Sequence, residues 1–369
     1  MDARLRSDEP GDGMGRLLYL GTADGLHVLR GDATRRVWRP AGRALDGHDI
    51  SALAWDAAGA LLAGTADGDL LRSADGGATW APAGAGLPGR KVWALVPDPH
   101  TPGALYAGLG GGHLFRSADG GATWHELAGL RALPEAEHWW GPFGEAIFHS
   151  ILPVAGRPGA LYAGLSVVGV LASDDGGASW RDATANIPRM PNGATADQLP
   201  ELADVHKLAI HPLDPARLYA TTHYGTFRSD DGAVSWHSIG AGLPAPMTRP
   251  LALHPREPDT IFVICHEDSP DGYLPIIRGQ LLVHRSRDGG RSWQPLVDGL
   301  PEQDSCAVLR EALDIDDHTP CGLYLGTNRG QVFSSADEGD TWRPIAEVGS
   351  SVRVVRIRSD EANKDERWR

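Results

Sequence analysis

An eight-residue phrase, Ser-x-Asp-x-Gly-x-Thr/Ser-Trp, occurs six times in the 369-residue chain. It spans Ser73–Trp80, Ser117–Trp124, Ser173–Trp180, Ser229–Trp236, Ser286–Trp293 and Ser335–Trp342, with Ala233 once replacing the glycine. Repetition at a long period constrains the fold more than any other feature, because each copy must bury its apolar face against its neighbours. Each unit has an apolar strand, a Pro/Gly turn, a strand like Leu105-Tyr-Ala-Gly108, a strand ending in the phrase, and a fourth strand opened by its Trp. Four short antiparallel strands per unit make a propeller blade.

The repeats predict an all-β, seven-bladed propeller. Six blades are complete: Ile50–Pro88, Lys91–Leu130, Ala146–Pro188, Val205–Pro244, Arg249–Pro301 and Ala307–Glu347. The chain's beginning offers only the last three strands of a blade: Leu17–Gly21, Leu26–Leu29 and Arg36–Trp38, with Asp32 and Trp38 as remnants of the phrase. Ser351–Ile357 is an isolated strand near the end, and it is expected to pair beside Leu17–Gly21 and close the ring, removing the open sheet edges. The domain is therefore read as residues 16–358, with a disordered tail at 1–15 and a polar one at 359–369.

In the phrase, Ser and Asp suit the amides of a tight turn, Gly supplies positive φ, and Trp can plug the gap between blades. Asp75, Asp119, Asp175, Asp231, Asp288 and Asp337 are accordingly structural. This phrase is the Asp-box or BNR repeat, and the chain resembles the sialidase-like propeller superfamily, including its sortilin-, Ycf48- and xyloglucanase-type members. The likeness is nearest to single-domain bacterial proteins labelled glycosyl hydrolase or BNR-repeat. The resemblance implies the fold and places the phrase on the face opposite the usual ligand site; the phrase itself serves enzymes and non-enzymes alike. No sialidase active-site residue is carried over, because the Arg-Ile-Pro element is missing: Ile187-Pro188 follows Asn186.

The formal net charge of −14, without a run of Lys or Arg, argues against nucleic acid or an anionic membrane surface as partner. Cys265, Cys306 and Cys321 form no CxxC pair or disulfide framework. The first fifteen residues are polar and lack an apolar core, so the expected location is cytoplasmic.

Function should lie where the repeats differ. Three insertions, Arg131–Gly144, Arg189–Asp204 and Glu267–Gln280, fall at connections that share one face of a propeller, away from the Asp-box turns. Thirteen residues before the Tyr or Phe of the second strand stand Trp93, His149, His206, Arg249 and Glu311, with Ser51 and Arg353 in the shorter units. These positions mark the channel mouth on the insertion face. Four residues after the same aromatic stand His223, His266 and Asn328, with Ser166 and Gly110 elsewhere, and Glu145 and Glu267 flank the set.

The candidate metal ligands are thus His149, His206, His223 and His266, suited to Zn, Fe, Mn or Cu. Candidate catalytic groups are His149, His206, Glu311 and Glu145. Arg249, Arg353, Trp93, Trp139, Trp140, Glu267 and Asn328 are candidates for binding substrate. The leading expectation is a hydrolase-like enzyme for a small polar, anionic or carbohydrate-like molecule. Lyase, isomerase or other biosynthetic chemistry at the same site is the alternative within that class. A non-catalytic scaffold that uses Trp139 and Trp140 to bind a protein is the alternative outside it.

Overall fold

Seven four-stranded antiparallel sheets follow one another around a ring, as the repeats require. The structure is a computed structural model that describes residues 15–141, 144–189, 203–266, 277–279, 281–302 and 304–359. Glu267, most of the second and third insertions and nearly all of both tails lie outside the described residues. The helical content among the described residues is two short 3-10 turns, Gly110–Gly112 and Pro134–His138. No helix there is long and apolar enough to cross a membrane.

The innermost strands are Ile50–Trp55, Val92–Pro97, Phe148–Pro153, Val205–His211, Thr248–Leu253, Leu313–Ile315 and Val352–Ser359. The last of these closes the ring. It pairs with Arg16–Thr22, placing Leu17 opposite Arg358 and Leu20 opposite Val355, so the first blade takes its inner strand from the chain's end. A second tie crosses the closure. Arg35 in the first blade donates to Asp316 in the last at 3.0 Å, both side chains nearly buried. Asp316 also accepts the Tyr324 hydroxyl at 2.8 Å and the Gly322 N–H at 2.7 Å.

The Asp-box turns form the hydrogen bonds their residue types suggest. In the first copy Ser73 Oγ donates to Asp75 Oδ1 at 2.7 Å and accepts the Gly77 N–H at 2.8 Å. Asp75 Oδ2 takes the Thr79 hydroxyl at 2.6 Å. The Ser–Asp and Asp–Thr/Ser bonds recur in the other five copies. The eroded first copy keeps a version shifted by one residue. Asp32 accepts the N–H groups of Arg36 and Val37, and Arg35 adopts φ 60° where most other copies use glycine. Most of the tryptophans sink between blades; Trp124, for example, is 3% exposed and packs with Leu62 and Leu105.

Candidate functional site

The channel mouth is built on β-bulges. Pairing of the first two strands of a blade skips Ser51, Trp93, His149, His206 and Arg353, and slips across Arg249 and Pro250. These are the positions that the repeat alignment singles out. A bulge carries an extra residue and re-aims its side chain. Here the re-aimed side chains reach toward the next blade. Ser51 Oγ donates to the Val92 carbonyl at 2.6 Å, His149 Nδ1–H to Val205 at 2.5 Å, and His206 Nδ1–H to Thr248 at 2.8 Å. Arg353 makes the same reach to the Asp49 carboxylate, at 3.1 Å through two nitrogens.

Those bonds fix the imidazole tautomers. A carbonyl only accepts, so Nδ1 of His149 and of His206 carries the proton and Nε2 presents a lone pair. Both rings are buried, and neither Nε2 has a hydrogen-bond partner among the described residues. His266 is the opposite case. Its Nε2 accepts the Val308 N–H at 3.2 Å, which removes that lone pair from any ligand role.

Asp204, the last residue of the second insertion, completes a cluster with the histidines. His223 Nε2–H donates to Asp204 Oδ2 at 2.9 Å, and His206 Nε2 lies 3.8 Å from the same oxygen. The rings of His206 and His223 meet edge-on at 4.5 Å between centroids, and His149 stands 6.4 Å from His206. Asp204 is 9% exposed, and its Oδ1 has no partner among the described residues. Burial lowers the His206 imidazole to about 4, despite the attraction of Asp204, and it holds His149 far below its ordinary value with Arg310 pushing the same way. Burial also brings His266 down to about 3. Burial would raise Asp204, but the nearness of His206 and the hydrogen bond from His223 outweigh that and leave it well below the usual carboxylate range. The result is a buried carboxylate beside the neutral imidazoles of His149 and His206.

Cations gather at the same mouth, with Arg310 close enough to His149 and Asp204 to act on both electrostatically. The Lys91 ammonium sits 3.9 Å from the Trp93 ring centroid, and the Arg310 guanidinium lies 5.9 Å from the same ring. Neither forms an ion pair among the described residues. Burial lowers Lys91, and Arg353 and Arg310 add to the fall against Asp49. Burial lowers Arg310 against the pull of Asp204 and Glu311. Like charges held this close favour an anion between them.

Glu311 faces the layer below, where it is ion-paired with Lys207 and Arg356. Burial raises its carboxyl, yet the two cations hold it at about 2. A cavity of about 230 Å³ runs through this layer, lined by Trp93, His149, Ser150, Lys207, Glu311 and Arg356 among others.

The remaining positions have local duties. Asn328 Oδ1 accepts the Ala307 N–H at 2.8 Å and Ser166 Oγ the Ile147 N–H at 3.0 Å, each pinning the link that enters its own blade. Arg249 bears electrostatically on His206 and His266. Glu145 pairs with Arg90 at 2.9 Å in a separate pocket of about 140 Å³, shared with His113, Arg131, Trp139 and Trp140. Trp139 is 5% exposed there and Trp140 61%.

A second His/Cys/Glu cluster, His254, Cys321 and Glu338, lies on the Asp-box face. His254 Nδ1 accepts the N–H groups of Arg256 and Glu257, so its Nε2 is the protonated nitrogen and faces Glu338 at 3.6 Å as a donor. That polarity suits an internal contact and not a metal.

Asp204, Lys91 and Arg310 were not among the residues singled out as site candidates from the repeats. Asp204 belongs to an insertion, which has no counterpart in other blades to be compared with. Lys91 and Arg310 stand two and one residues before the aligned positions, on the links and not on the strands.

The fold and this mouth define a seven-bladed β-propeller with a polar, cation-lined channel. No protein-family model matches the sequence, and none of the curated proteins does. Solved structures do resemble it. An ancestral GH74 enzyme superposes with TM-score 0.59 at 16% identity over 78% of this chain, which spans only 37% of that enzyme's length. YCF48 bound to D1 peptide gives 0.56 at 13% identity, covering 95% of this chain and 98% of the other. A protein from Lactobacillus plantarum gives 0.56 at 14% identity, covering 94% and 100%. At these identities the likeness concerns the fold alone.

Proposed function

We propose that the chain is a hydrolase-like enzyme that binds a small anionic molecule, of the carboxylate- or phosphate-bearing kind, at the channel mouth on the insertion face. One observation carries the reading. In a protein of net charge −14, Lys91 and Arg310 converge on one aromatic ring without carboxylate partners among the described residues, beside buried Asp204 and the Nε2 atoms of His149 and His206, which have no hydrogen-bond partner among them either. Cations placed this way recognise an anionic group, and the imidazole and carboxylate acceptors next to them supply the polar chemistry of hydrolysis. The Trp93 face offers a wall for the apolar side of a sugar ring or similar group.

The test is a thermal-shift and turnover panel of sugar phosphates, uronates and carboxylate or phosphate esters, with neutral analogues as controls. Anionic members raise the melting temperature of the wild type, neutral ones do not, and a Lys91→Ala/Arg310→Ala variant loses the response. Stabilisation by neutral analogues alone, or stabilisation that survives in the variant, contradicts the reading.

A second reading has its own support. A structural neighbour of this chain is a propeller bound to a peptide, and Trp140 is exposed beside a pocket carrying Arg90, Arg131 and Glu145. An exposed Trp next to arginines suits a protein interface. Binding of a protein partner that Trp140→Ala abolishes, with no small-molecule response, would favour it.

A further inference from the structure

We infer that Asp204, His206 and His223 form a binding site for a divalent transition metal, resting on the reading of the channel mouth as the functional site. Candidate donor atoms from the three side chains lie within 4.8 Å of one another. Ligands at about 2.0–2.2 Å from a zinc-like ion stand roughly 3.4 Å apart in a tetrahedron. The separations of 2.9 Å and 3.8 Å from Asp204 Oδ2 to the two imidazoles bracket that value. Small side-chain shifts therefore accommodate an ion.

Three features point to a metal in preference to a plain hydrogen-bond cluster. First, His206 donates its Nδ1–H to the Thr248 carbonyl, the outer-shell arrangement that turns Nε2 into a ligand and holds the ring still. Second, among the described residues neither His206 Nε2, in a side chain that is 1% exposed, nor the buried Asp204 Oδ1 has a hydrogen-bond partner. Unpartnered polar atoms at this depth are costly, and a cation satisfies both at once. Third, the His254 cluster on the opposite face has a similar composition but the wrong ring polarity, so composition alone does not produce this geometry.

The site differs from the four-histidine set suggested by the repeats. His266 spends its available lone pair on the Val308 N–H, and Asp204 takes its place. His149, with a free Nε2 but a ring 6.4 Å from His206, stands beside the ion and outside the ligand group. Two His and one carboxylate leave coordination positions for water or a substrate oxygen, the pattern of catalytic rather than structural sites. Loading replaces the His223–Asp204 hydrogen bond with bonds from both side chains to the ion.

The experiment uses the full chain, stripped with chelator, loaded with Zn²⁺, Mn²⁺ or Co²⁺ separately and desalted. The expected result is one equivalent of at least one metal, retained with a rise in melting temperature. Asp204→Asn and His206→Gln, chosen to keep shape and hydrogen bonding, weaken retention at least about a hundredfold, beyond the loss typical of an outer-shell partner. His254→Gln leaves it unchanged. Lys91→Ala/Arg310→Ala retains the metal but loses the response to anions, so the two readings fail separately. No stoichiometric retention of any of the three metals, or retention undiminished in Asp204→Asn and His206→Gln, overturns the inference; circular dichroism confirms that both variants are folded.

Discussion

His206 Nδ1 lies 2.8 Å from the Thr248 carbonyl oxygen and thereby joins two blades while turning its other nitrogen toward Asp204. One bulged residue serves structure through one side of its ring and function through the other. Truncation must show both. His206→Ala leaves the Thr248 carbonyl unpaired and opens a cavity, costing about 2 kcal/mol of stability. His206→Gln recovers part of that cost without restoring the ligand. Urea denaturation separates the two substitutions; equal stability of His206→Ala and wild type would deny the inter-blade role.

Closure of the ring predicts a large effect from small changes. Asp316→Ala strands Arg35 in the interior and frees the Tyr324 hydroxyl and the Gly322 N–H at the same time. Breaking a buried pair from one side costs about 3–5 kcal/mol. Deleting Val352–Ser359 removes the inner strand of the first blade, and the protein should unfold or aggregate. A deletion variant with unchanged melting behaviour would refute this closure.

Acid should loosen the Asp-box turns together. Hydrogen bonds from Thr or Ser, helped by backbone N–H groups, hold Asp119, Asp175, Asp231 and Asp288 at about 2, against an ordinary value of 3.8. A depressed folded-state pKa contributes stability above the unfolded value and loses it as pH falls through the folded one. Stability is therefore intact above roughly pH 4 and declines toward pH 2. Asp119→Asn lowers stability at pH 7 and flattens part of that acid limb, as denaturation midpoints across the range will read out.

Two adjacent tryptophans should behave in opposite ways. Trp139 belongs to a buried cluster that includes Leu130, Ala136 and Phe148 and is 5% exposed, so Trp139→Ala costs about 3–5 kcal/mol. Trp140 is 61% exposed, and Trp140→Ala changes stability by less than about 0.5 kcal/mol. Chemical denaturation of both variants checks the contrast, and similar losses from the two would contradict it.

The blades, their order and the closing strand were all legible in the sequence because a propeller repeats its constraints. Each Asp-box fixes a turn, and each missing strand leaves a gap that only another segment can fill. The same alignment picked out the bulge position without revealing that it is a bulge, since sequence spacing does not show which residue the ladder skips. Ring polarity was not legible either. His206 and His266 lie close enough to interact electrostatically, yet among the described residues Nε2 has no partner in one and accepts a backbone N–H in the other. Asp204 escaped notice because it ends an insertion, and the ion pairs that occupy Glu311 come from Lys207 and Arg356 on two other blades.

The account places an anion between Lys91 and Arg310 at the insertion-face mouth of the channel, and locating a heavy anion there tests it most directly. In a crystal soaked with tungstate, the strongest anomalous peak should lie within contact of the Lys91 ammonium and the Arg310 guanidinium, beside Trp93 and His149. Tungstate bound only elsewhere on the surface, with that mouth empty, would contradict the account.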